Sequence, residues 1–93
     1  MQVQRGRNTS TVTSIGESAF LDNQLASVTI PNSVTYISNW AFSGNQLTSI
    51  TIGANVEMSD NSFDFNFKQA YDRNSKKAGI YRRSGNTWTY SAQ

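Results

Sequence analysis

The sequence predicts a mostly β repeat solenoid, a short right-handed coil of parallel strands and tight turns closed at its C-terminal end by a helix plus a β-hairpin. Three observations predict it. Twelve positions, AFLDNQLASVTI at 19–30, return as AFSGNQLTSITI at 41–52. A shift of 22 also superposes Ile15 on Ile37, Ala19 on Ala41, Phe20 on Phe42, Leu25 on Leu47, Val28 on Ile50 and Ile30 on Ile52, while the residues between them drift. From Ser62 a helix-like spacing takes over, followed by two alternating segments. A fixed period in the range of about 20–29 residues marks a stacked-repeat fold, because one unit cannot cover its apolar face without neighbours above and below.

Three segments follow from this reading. Residues 1–10 are a polar N-terminal tail or edge strand, 11–63 carry the repeats of period 22, and 64–93 form the C-terminal cap. Within the repeats, Val28 and Ile30 alternate with Ser27 and Thr29, as Ile50 and Ile52 do with Ser49 and Thr51. That alternation predicts two strands with apolar side chains inward and hydroxyls outward. Equivalent strands one 22-residue repeat apart run parallel, and Pro31 in one copy against Gly53 in the other marks the corner where the chain leaves the sheet. The segments ESAF and NWAF suit a single tight turn whose phenylalanine plugs the interior, so Phe20 and Phe42 are expected to stack. Asn23 and Asn45 repeat beside them, where a carboxamide can bond turn backbone. Val12, Val34 and Val56 extend the series, and one deleted residue then places Met58, Ser62 and Phe63 where Ile37, Ala41 and Phe42 stood.

At the C-terminal end, Phe63, Phe67, Ala70 and Tyr71 fit one face of a short helix with Asp60 or Asn61 as N-cap and Asn74 as its end. AGIYRRSGNTWTY then predicts a hairpin turning at Ser84, Gly85 and Asn86. No comparable lid precedes the first repeat, so the expected open edge there favours self-association into a homo-oligomer.

Composition narrows the function. Ninety-three residues, 37% hydrophobic and only 15% charged, make one small folded domain, too uncharged for typical disorder and too polar for a membrane span. The opening MQVQRGRNTS lacks the apolar core of a secretory signal. Without Cys or His the chain has no thiol nucleophile, no imidazole base, no disulfide and none of the commonest zinc ligands. Its sparse carboxylates show no catalytic pairing, and EMSDNSFDFN at 57–66 lacks calcium-loop spacing and reads as an acid-enriched helix start. We therefore expect no enzyme, no cofactor and no metal.

Charge is segregated. Residues 8–67 contain no Lys or Arg, whereas Lys68, Arg73, Lys76, Lys77, Arg82 and Arg83 crowd the last third near Tyr81, Trp88 and Tyr90. Basic residues interleaved with rings raise a nucleic-acid reading. Alternation opposes it, because Tyr81 faces away from Arg82 and toward the repeat end, so no nucleic-acid partner is expected.

The ordered elements SIGESAFLDNQLASVTIPNSVTYIS and NWAFSGNQLTSITIGANV resemble BspA-like leucine-rich repeats of bacterial surface proteins, spirochaete-type members included. The tail FKQAYDRNSKKAGIYRRSGNTWTY is similar to the closing segment of those members. The resemblance implies a cell-surface or secreted, non-catalytic binding module that mediates adhesion to host or microbial proteins or glycans, without membrane insertion. The alternative is a structural module for self-assembly. The residues nominate six contacts: Ser27, Thr29, Ser49 and Thr51 on the strand face, and Tyr36 and Trp40, aromatic where the preceding repeat has Ser14 and Ser18.

Overall fold

The computed structural model describes residues 13–92. The expected edge segment, 1–10, lies outside them. Strands β2 (Ser27–Thr29) and β4 (Ser49–Ile52) pair in parallel with Ser27 opposite Ser49, Val28 opposite Ile50 and Thr29 opposite Thr51, the register the 22-residue shift predicts. A second parallel sheet, β1 (Ser14–Ile15), β3 (Tyr36–Ile37) and β5 (Glu57–Met58), was not anticipated. Each of its strands has only two residues, too few to display an alternation. The deletion inferred from the sequence appears in its register: Ser14 sits opposite Tyr36, and Tyr36 opposite Glu57, one residue nearer in sequence.

Equivalent apolar side chains meet in the interior. Ile15, Ile37 and Met58 are buried, as are Val28 with Ile50, Ile30 with Ile52, and Val34 with Val56. The phenylalanines form a column: Phe20 stacks on Phe42 with centroids 5.1 Å apart and planes 6° from parallel, and Phe42 on Phe63 at 4.9 Å and 9°. Burying one such side chain contributes about 1.5–3 kcal/mol, and each ring pair adds about 0.5–1.5 kcal/mol. Only the middle ring, Phe42, is fully enclosed; Phe20, at the end of the column, is half-buried.

The turns between sheets are built by backbone ladders. Ser18 N–H donates to Asn39 O and Trp40 N–H to Asn61 O, each at 3.0 Å, so adjacent turns hold one another. Left-handed backbone recurs with the repeat, at Ser18 and Trp40 (φ 57° and 56°) and at Asp22, Gly44 and Phe65 (φ 56°, 78° and 59°). A Cβ at Gly44 would also lie 1.8 Å from Asp22 Oδ1, so the Asp22 side chain would have to turn aside.

The last partial repeat delays the helix. Helix α1 spans Phe67–Arg73 and begins after Asn66, whose backbone is left-handed and whose side chain makes no cap; Asp60 and Asn61 are not the N-cap, and Phe63 is not helical. Residues 61–64 are instead engaged with the preceding turn. Phe42 N–H donates to Ser62 O, and the Asp64 carboxylate accepts Ser43 Oγ at 3.0 Å and Gly44 N–H at 2.8 Å. The first helical turn accordingly carries no acid, contrary to the reading of 57–66 as an acidic helix start. Asn74 ends the helix as expected.

The hairpin comprises β6 (Gly79–Ser84) and β7 (Thr87–Ser91), with Gly85 at φ +61° in the first position of its two-residue turn, where a type II′ turn requires glycine. It does more than cover the end. Strand β6 pairs antiparallel with β4, making one four-stranded sheet in the order β2-β4-β6-β7. Beneath it, Phe67 meets Phe63, Tyr71, Tyr81 and Trp88 in an aromatic cluster. Tyr71 bolts the helix to the repeat, its hydroxyl donating to Gly53 O and accepting Val56 N–H.

Candidate binding face

Residues directly opposite one another in neighbouring strands share a face. The outward face of the larger sheet therefore runs in two rows, Ser27, Ser49, Arg82 and Thr89, and Thr29, Thr51, Ile80 and Ser91. Ser27, Thr29, Arg82, Thr89 and Ser91 are exposed; Ser49, Thr51 and Ile80 are half-buried. Four nominated residues, Ser27, Thr29, Ser49 and Thr51, thus come together in adjoining pairs. The hairpin half of the face was missed, although Thr87, Thr89 and Ser91 alternating with Trp88 and Tyr90 carried the signal.

The two nominated aromatics lie elsewhere. Tyr36 stands on β3 in the smaller sheet, flanked in register by Ser14 and Glu57, and Trp40 occupies the turn that follows. Both are exposed, at 43% and 47%, and neither stacks on another ring among the described residues. Trp40 is also the bulkiest residue on a left-handed backbone among those described. Only small polar residues and glycine adopt that conformation cheaply, and local strain of this kind concentrates at functional positions.

The rings of the cap, by contrast, are structural. Tyr81 is 1% exposed, and its hydroxyl donates to Lys77 O and accepts Asn74 Nδ2. Burial raises the Tyr81 and Tyr71 pKa values above the ordinary tyrosine value. Half the basic cluster is likewise engaged. Lys68 bonds Asp72 at 3.0 Å, which raises its pKa, Lys76 bonds Glu57 at 2.6 Å, and the Arg83 guanidinium lies 3.7 Å from the Phe65 ring centroid while its Nε donates to Leu47 O. Among the described residues no three acidic side chains gather as a metal site would require, and no helix is long and apolar enough to cross a membrane.

Parallel strands in repeat register, a stacked phenylalanine column and an open polar sheet face define a repeat protein of the interaction-module class. The chain belongs to the BspA-type leucine-rich repeat family: the family model described as "BspA type Leucine rich repeat region (6 copies)" matches residues 4–75. No curated protein and no solved structure matches it.

Proposed function

We propose that this domain is a non-catalytic adhesion module of a cell-surface or secreted protein, recognising host or microbial proteins or glycans through the outward face of β2, β4, β6 and β7. The observation that carries the reading is the continuity of that face. The antiparallel docking of β6 on β4 turns two short hydroxyl-bearing strands into four, widening the surface toward the roughly 800 Å² per partner that a stable interface uses. Family membership supports an interaction role, and the right-handed solenoid reading accords with the usual hand of parallel crossovers.

Binding of the intact chain to arrays of matrix proteins and glycans tests the reading, with a Ser49→Glu/Thr51→Glu variant beside it. Retained secondary structure with lost binding is the expected result. Unchanged binding by the variant removes the face from consideration.

Self-association is the second reading. Half-buried Phe20 and exposed Leu21, at the N-terminal end of the phenylalanine column, favour a second copy adding to that end. Light scattering then shows mass rising with concentration, and a Leu21→Lys substitution suppresses the rise; a concentration-independent monomer sinks this reading.

A further inference from the structure

We propose that the groove between α1 and β7 is a second binding site, for a carboxylate-bearing saccharide. Trp88 and Tyr90 alternate with the outward hydroxyl residues of β7, so they turn to the reverse side of the sheet, toward the helix. With Ala70, Arg73, Asn74 and Tyr81 they line a cleft of about 240 Å³. A second cleft of about 230 Å³ shares Ala70, Arg73 and Trp88 with it and adds the amide side chains of Asn66, Gln69 and Asn86.

The rings are fixed before any ligand arrives. Trp88 Nε1–H donates to Phe65 O at 2.8 Å, and the Tyr90 hydroxyl donates to Ala78 O at 2.6 Å. With their polar atoms bound to backbone, the rings offer the groove chiefly carbon, a flat apolar wall that loses little freedom on binding. The C–H face of a sugar ring fits such a wall. Surrounding amides, which both donate and accept, match its hydroxyl groups.

Arg73 sets the charge. It is exposed and pairs with no carboxylate among the described residues, unlike Lys68 and Lys76. A guanidinium receives a carboxylate through two parallel N–H···O bonds. One lining cation suits one carboxylate, whereas a nucleic-acid strand needs a basic track for successive phosphates, and Arg82 projects from the other side of the hairpin. An acidic peptide's carboxylate side chain carries no ring of its own, whereas an acidic saccharide holds ring and carboxylate in one rigid unit. The groove lies on the reverse of the hydroxyl face and stands whether or not that face binds.

Trp40→Phe leaves Trp88 as the sole tryptophan of these 93 residues, so the emission of the intact chain reports this groove. In that background, sialyllactose and a glucuronate disaccharide are titrated beside lactose, a glutamate-containing peptide and an oligothymidine. At least one acidic saccharide is expected to give a saturable change, with lactose about tenfold weaker, and Arg73→Gln is expected to weaken the acidic saccharide about tenfold while keeping the helical circular dichroism. Ser49→Glu/Thr51→Glu leaves the response intact, which separates this site from the sheet face. No response to either acidic saccharide up to about 10 mM, equal response to lactose, indifference to Arg73→Gln, or tighter binding of peptide or oligonucleotide overturns the proposal.

Discussion

The Asn45 carboxamide oxygen accepts the backbone N–H of Asn23, its counterpart one repeat earlier, at 3.0 Å. The same oxygen accepts Leu25 N–H at 2.8 Å, while Nδ2 donates to Phe20 O and Phe42 O at 2.8 and 2.9 Å. One side chain, 2% exposed, thus satisfies backbone groups of two successive turns. Asn45→Leu strands those groups without water, and a cost of about 2–5 kcal/mol is expected in urea denaturation. Asn23→Leu, at the exposed end of the series, should cost less than half as much; equal costs would contradict the shared-turn account.

The phenylalanine column predicts an order of sensitivity. Phe42→Ala opens a cavity between two rings and should cost about 3–5 kcal/mol, enough to unfold a marginal domain. Phe20→Ala removes a half-buried terminal ring and should cost less. Thermal melts of the two variants check the order.

Tyr71 and Tyr81 make stability pH-dependent on the alkaline side. Burial holds both phenols protonated above their ordinary pKa of 10.0, so as pH rises the unfolded chain releases these protons first. The contribution is full below about pH 10 and is lost as pH climbs toward the raised folded-state values. Tyr71→Phe should flatten the alkaline fall in stability. It should also cost about 1–3 kcal/mol at neutral pH, because Gly53 O and Val56 N–H lose their partner.

Gly44→Ala forces a methyl against Asp22 and destabilises on that account as well as through its positive φ. In a Gly44→Ala/Asp22→Gly double variant the contact with the carboxylate is gone, leaving the 3.1 Å approach to the Cα of residue 22 and the backbone term of about 1 kcal/mol. A double-mutant cycle measured by denaturation should therefore show the double variant costing clearly less than the sum of the two single variants. Purely additive costs would locate the strain elsewhere.

Trp40 tests whether strain has been retained for contact. Asparagine tolerates the left-handed backbone, so Trp40→Asn is expected to leave stability unchanged or raise it by up to about 1 kcal/mol. Binding of any partner that uses the indole should fall at the same time. A loss of stability above about 1 kcal/mol would instead mark Trp40 as a packing residue.

Much of the architecture was legible because stacking like on like writes itself into sequence. The 22-residue shift carried the pairing of β2 with β4, the one-residue slip before β5, the Phe20–Phe42–Phe63 column and the structural use of Asn45. The smaller sheet was not legible, since two-residue strands leave no periodic trace. The start of α1 was misplaced because Phe63 satisfies both a helical spacing and the repeat, and bonds from Phe42 N–H to Ser62 O and from Ser43 and Gly44 to Asp64 decide for the repeat.

The sequence by itself determined which residues repeat, which of them face inward, and that a helix and hairpin follow, for each is a matter of local spacing. Only the tertiary structure decided that β6 joins β4 and extends the hydroxyl face, that Tyr36 and Trp40 stand apart from it, and that Arg73, Trp88 and Tyr90 line one groove. Alternation fixes which way a side chain points within its own strand; it does not say which edge that strand will find, because that choice rests on backbone pairing between segments distant in the chain.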